Sequence, residues 1–371
     1  MRVVYVATPQ QRIRYAVVDD HGETVEVIRS YLQHLHDRGY ARNSLKASAQ
    51  GLCLYFRFLH ENAFDYRAVR IAERAAFVAW LKRPGAPRES ASASGAPGRR
   101  KDRTINQYLG VVTGFYDWLW RTEQIERNVN DLLRGAGAYR PYKGFLHHLG
   151  AQPVERNILT QPIPRQQHPR VLNKAEVATL RDAARSGRDR ALVLLIFETG
   201  LRPGEVLALW LDDIHIGENV IAVVDRGELP NRAEIKRPTA ERRIHVSQDL
   251  INELLAYVTA AHTDDITTRH VFLIEHGPRR GEPMTYDDLR AVFLRLSERS
   301  GIDASPYTLR HTSLTLLAKA NWSPDRLQLR AGHRHFQTTV DTYVHLDDDD
   351  LRAEWERTRS AEAFVLKESD R

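Results

Sequence analysis

The chain has 371 residues, 42% of them apolar and 27% charged, a length and balance that allow more than one buried core and predict two domains. The longest apolar run, ALVLLIF at residues 191–197, is too short to cross a bilayer, and MRVVYVATPQ lacks the apolar length of a signal peptide, so a cytoplasmic protein with no membrane partner is expected. A single cysteine, Cys53 in GLCLYFRFL, excludes a disulfide framework and a thiolate metal site and reads as a buried thiol, while the net charge of +6 favours a polyanionic partner.

Alternation and the Asp-His-Gly turn in VVYVATPQQRIRYAVVDDHGETV predict a short hairpin, residues 3–6 with 12–18, and residues 1–23 are set apart as an extension without chemistry. From 24 to 134 apolar residues recur at three- and four-residue spacing and predict helices over 25–38, 41–61, 71–82 and 104–122. At the start of the second helix, Arg42, Asn43, Ser44, Lys46 and Ser48 form a polar strip suited to phosphate, because a helix N-terminus already offers free N–H groups and a positive dipole end. Residues 83–103, rich in Pro, Gly, Ser and Ala, predict a loop that cannot pack. Its end carries Arg99, Arg100, Lys101 and Arg103, either a solvated charge run or an arm lying against a nucleic-acid backbone. The run Phe115, Tyr116, Trp118 and Trp120 reads as core rather than as a base-stacking platform. Periodicity fails over 135–170, a basic interdomain linker that would let two domains close around a rod. His147 and His148 are adjacent rather than at ligand spacing, so no metal is expected.

In the second domain, 171–371, Asn173 and Glu176 form a capping box, a buried helix covers 188–199, and Gly200 ends it in a left-handed cap. Pro203 suits the first position of a new helix and holds Arg202 in a tight turn beside free N–H groups, an anion seat. Strand patterns at 214–216, 220–224 and 242–246 predict a small antiparallel sheet. Lys236 in IKRPTAERRIHV lies on the turn before the last strand, where partial desolvation would lower an ammonium toward proton-transfer work. Helices over 250–261 and 286–300 flank the extended HVFLIE. A helix over 308–320 places Arg310 in its first turn, Ser323 and Pro324 open the next, and Gly332 closes it with His333 just beyond. A short helix over 338–345 puts Thr339, Val340 and Tyr343 on one face. Two arginines, a histidine and a tyrosine so arranged suit holding a phosphodiester while a tyrosine oxygen attacks it.

TGLRPGEVLAL, IKRPTAERRIHV, YTLRHTSLTLLA, RAGH and TTVDTYVH resemble, in order and spacing, the catalytic boxes of the tyrosine recombinases, or phage-type integrases, over residues 171–346. The resemblance implies a mainly α fold with a small antiparallel β-sheet: a helical core-binding (SAM-like) domain, matched over 24–134 in position and size only, and a mixed α/β catalytic domain forming a C-shaped DNA clamp. It further implies that Tyr343 attacks DNA to form a 3′-phosphotyrosyl bond, that Arg202 and Arg310 stabilise the pentavalent phosphorus, that Lys236 protonates the leaving 5′-oxygen, and that His333 hydrogen-bonds the phosphate or assists the tyrosine. Double-stranded DNA at core sites, a tetramer on synapsed duplexes and accessory proteins are the implied partners, with no metal, ATP or other cofactor. The chain departs from the family at Tyr307, where most members carry a histidine; a phenol donates a hydrogen bond but holds no positive charge near neutral pH. Two other readings share these residues: a recombinase-fold architectural protein without chemistry, and a type IB topoisomerase. Four aspartates at 347–350 read as an acidic helix start for 351–365, a segment that packs either on its own domain or on a neighbouring protomer.

Overall fold

The computed structural model describes residues 1–7, 13–83, 100–130, 159–162, 170–227, 229–233, 235, 241–333, 336, 339, 355 and 356, which pack as two units, residues 1–166 and 167–371. Lys236, Tyr343, Arg99 and nearly all of the linker and C-terminal helix expected from sequence lie outside the described residues.

In the first unit, β1 (Arg2–Ala7) pairs antiparallel with β2 (Ile13–Val18). Tyr15 and Val17 on β2 are buried in the same core as the helices, so the hairpin set apart as an extension packs as part of this unit. The Asp-His-Gly turn lies after β2, not between the strands: the Asp19 carboxylate accepts from the His21 and Glu23 amides, and the chain folds back so that Val25 donates to Val17. Among the described residues four helices follow: α1 (Glu26–Asp37), α2 (Arg42–Glu61), α3 (Ile71–Lys82) and α4 (Asp102–Arg121). Their apolar stripes meet in an aromatic core of Tyr31, Tyr55, Phe58, Phe77, Phe115, Tyr116 and Trp118, with edge-on rings such as Tyr55 and Phe77, whose centroids are 5.0 Å apart. Phe115, Tyr116 and Trp118 are core as expected, whereas Trp120 is 46% exposed because it falls on the opposite face of α4. Buried polar groups are mostly paired: the Tyr55 and Tyr116 hydroxyls lie 2.8 Å apart, and Arg74 donates through its two terminal nitrogens to Asn130 and Thr113, while its Nε finds no partner among the described residues.

The second unit is built around α6 (Gly187–Thr199), in which Ala191, Leu192, Val193, Leu195 and Ile196 are fully buried. A helix apolar on so many sides needs partners all round. It packs against α5 (Lys174–Asp182), α8 (Gln248–Ala261) and α10 (Pro306–Lys319). The Asn173 and Glu176 capping box is present at α5, and Gly200 ends α6 with φ 67°. After α7 (Pro203–Leu207) comes a three-stranded antiparallel sheet in the order β3 (Ile214–His215), β4 (Val220–Val223), β5 (Arg242–His245). Then α9 (Tyr286–Ser300) leads through Ser305 into α10, and α11 (Pro324–Ala331) ends at Gly332, φ 62°. Ser305 and Thr308 cap α10 two residues earlier than expected, with Pro306 at its first position, so Arg310 sits one turn into the helix rather than in its first turn.

Candidate active site

Three arginines distant in sequence converge where α6 and α11 end. Each of these helices leaves carbonyls without an intrahelical partner, and a left-handed glycine turns the chain away and opens them to side chains. Arg310, 5% exposed, donates to the Gly200 carbonyl and, at 2.9 Å, to that of Ala331. Arg202 donates to the Gly332 carbonyl at 2.7 Å. Arg242, on β5, reaches the Arg330 carbonyl at 2.8 Å. The negative ends of two helix dipoles therefore hold guanidiniums that would otherwise repel one another.

Glu205 is the counter-ion. Its fully buried carboxylate accepts from Arg202 at 2.8 Å and from two nitrogens of Arg242 at 3.1 and 2.8 Å. Burial works against its charge, yet the hydrogen bonds and positive charge of Arg242, with Arg202 and Arg310 beyond, hold the carboxyl below its usual range. The same carboxylate accepts the Arg202 backbone N–H at 2.8 Å, so the amide expected to be free for an external anion is taken by the chain's own side chain. Anion recognition falls to the guanidiniums instead, and among the described residues three of them face one carboxylate, a positive balance.

His333 completes the cluster. Arg310 Nη2 lies 3.0 Å from its Nε2, and Thr339 Oγ1 lies 2.9 Å from its Nδ1. A guanidinium only donates, so Nε2 accepts and the ring proton sits on Nδ1, donated to Thr339. Burial and then the charges of Arg310, Arg202 and Arg242 lower the imidazole to about 4, which keeps it neutral near pH 7. Gly332 is required by space as well as by φ: a Cβ there would stand 2.9 Å from Arg242 Nη1 and 3.1 Å from Arg202 Nη1.

A model of the phage integrase family matches residues 170–350. Transposase A from transposon Tn554 of Staphylococcus aureus is 31% identical over 343 residues, covering 92% of this chain and 93% of the relative. The chain belongs to the phage integrase family, the tyrosine recombinases. XerD of Corynebacterium glutamicum is 27% identical over 293 residues, 68% of this chain and 90% of that recombinase. In fold, the chain is similar to the Tn1549 transposon integrase solved with circular intermediate DNA (TM-score 0.61, 18% identity, 90% of this chain and 99% of that one). It is also similar to a lambda integrase dimer bound to a core site (TM-score 0.56, 15% identity, 86% and 94%).

Within this recombinase the structure brings together Arg202, Arg310 and His333 of the residues singled out from sequence. Tyr307 lies on the first turn of α10, three residues before Arg310 on the same side of the helix, and is 57% exposed. Sequence reasoning missed Glu205 and Arg242, and it set Thr339 on a face with Tyr343 without the contact to His333. The first was legible in LRPGE as a carboxylate one helical turn from Arg202, but its grip on Arg242, 37 residues away, was not. Along the strip on α2, Asn43 and Ser44 are exposed and Arg42 and Lys46 half-buried, with Arg42 Nε 3.3 Å from the Tyr15 hydroxyl. Ser48 is buried and leaves the strip, because its position faces the helix core. Lys101 and Arg103 are exposed at the start of α4, whereas Arg100 is half-buried and donates to the Leu81 carbonyl at 3.3 Å.

Proposed function

We propose that this recombinase cuts and rejoins DNA for a mobile element, with Tyr343 as nucleophile. The observation that carries the reading is the Arg202, Arg310 and His333 cluster around Gly332: a surplus of fixed positive charge on rigid carbonyl seats stabilises charge that develops on phosphorus oxygens. Likeness to the Tn554 transposase across 92% of the chain supports the mobile-element role.

In the proposed step the Tyr343 phenol oxygen bonds to phosphorus and the bond to the 5′-oxygen breaks. Lys236 gives a proton to that oxygen, leaving a 5′-hydroxyl, and the phenol proton goes to solvent because His333 Nε2 already accepts from Arg310. The covalent bond stores the energy of the phosphodiester, so attack by a second 5′-hydroxyl joins new partners without ATP. Residues 24–134 serve as the core-binding domain, with Arg42, Asn43, Ser44 and Lys46 and the cations Arg99, Arg100, Lys101 and Arg103 on phosphates. Four protomers act on two duplexes at core sites. Solved fold neighbours carry DNA in their complexes, which fits duplex DNA as the partner.

The test is covalent trapping. Wild type and Tyr343→Phe are incubated with nicked duplexes from the ends of the element carrying the gene and then denatured in detergent. An adduct formed by wild type alone and mapping to Tyr343 is the expected result. Specific binding with no adduct from either protein overturns the chemistry and leaves an architectural protein; relaxation of an arbitrary supercoiled plasmid would mark a topoisomerase instead.

A further inference from the structure

The chain between β4 and Lys236 is fastened to the second unit by groups with no part in the proposed chemistry. Arg226 forks onto the buried Asp213 carboxylate at 2.9 and 2.6 Å and lies 4.3 Å from the centre of the Trp210 ring. Three residues on, Leu229 accepts the Arg232 amide at 2.9 Å and closes a turn in which Arg232 is left-handed, φ 64°. Asn231 sits inside this turn, 5% exposed. Its Nδ2 donates to the Leu207 carbonyl at 2.8 Å and to that of Met284 at 2.9 Å, and its Oδ1 accepts the Ala233 amide at 3.2 Å. Ile235 then packs against the core of the unit.

Leu207 is the last residue of α7, which Arg202 caps at its other end, and Met284 directly precedes Thr285, the cap of α9. One amide thus ties the approach to Lys236 to the helix that aims Arg202. Only a group with two donors and one acceptor satisfies all three partners; a carboxylate of the same shape would face two carbonyls with no proton. We infer that Asn231 is a positioning residue for proton donation by Lys236, fixing the chain that leads into the lysine relative to Arg202. The inference rests on the reading of Lys236 as the donor. A proton donor works only within hydrogen-bond reach, and a displacement of about 1 Å costs on the order of a hundredfold in rate.

The test uses the full chain and two substrates, the ordinary phosphodiester and one with sulfur in place of the bridging 5′-oxygen. Thiolate is a good leaving group and departs without a proton. Asn231→Ala, and the milder Asn231→Ser in case alanine leaves too little folded protein, should cleave the phosphodiester about tenfold to a hundredfold more slowly while cutting the sulfur substrate at close to the wild-type rate. The readout is the ratio of the two rates, which loss of folded protein does not change. A wild-type ratio in both variants overturns the inference and leaves Asn231 a purely structural residue. Lys236→Ala is run alongside. Rescue by sulfur there with no change of ratio in the Asn231 variants sinks the inference alone; no rescue in Lys236→Ala sinks the proton-donor reading and the inference with it.

Discussion

A proton on Nδ1 rather than Nε2 decides what His333 can do. With its Nε2 lone pair turned to Arg310 and its proton held by Thr339, the imidazole orients a guanidinium instead of adding a charge. Its titration also couples to folding. The native value of about 4 lies below the ordinary 6.5, so between these values the unfolded chain binds the proton that the native state refuses. This contribution to stability is complete above about pH 6.5 and is lost progressively as pH falls toward 4. Thermal midpoints measured across that window should fall with pH in wild type and fall less steeply in His333→Gln; parallel curves would show that another group carries the effect. Tyr307 is the second residue to weigh. An exposed phenol adds at most a neutral hydrogen bond to a phosphate oxygen, about 0.5–1.5 kcal/mol, so Tyr307→Phe should slow single-turnover cleavage roughly twofold to tenfold. An unchanged rate removes Tyr307 from the site.

Helix ends, not helix faces, make the cluster. Both α6 and α11 stop at left-handed glycines, and their last carbonyls seat Arg310 and Arg202. Gly301, which ends α9 with φ 71°, is a natural control, since a Cβ there meets nothing within 4 Å. Gly301→Ala should carry only the left-handed penalty, about 1–2 kcal/mol, and leave cleavage by the folded protein unchanged. Gly332→Ala carries the same penalty and also drives a methyl against the Arg202 and Arg242 guanidiniums. Its cleavage should fall by about a hundredfold at a matched loss of melting temperature. Equal rates in the two variants would show that the guanidiniums can shift without consequence.

At the scale of the whole molecule, each unit buries its own core, the first rich in aromatic rings and the second centred on α6. Each should fold as a separate fragment. Residues 167–371 alone should keep a native melting transition but bind duplex DNA with a shallower dependence on salt, the slope falling by about 0.9 for each cation of the first unit that had met a phosphate. Titrations of the full chain and the fragment across a range of salt concentrations provide the check, and equal slopes would take Arg42, Lys46, Lys101 and Arg103 off the DNA.

The sequence by itself determined what depends on near neighbours: the four helices of the first unit to within two residues, the capping box at Asn173, the glycine stops at Gly200 and Gly332, and the order of the boxes. Periodicity and capping are local, so a short window of sequence carries them. Tertiary structure alone decided which charges meet. Glu205 fills the place read as open to an external anion, because burial beside Arg202 and Arg242 leaves a carboxylate no other way to keep its charge. Arg310 lies 110 residues from the Gly200 carbonyl that it grips, and Asn231 lies 53 from the Met284 carbonyl. Partners so far apart are chosen by the packing of whole helices against one another, which no periodicity in the chain spells out.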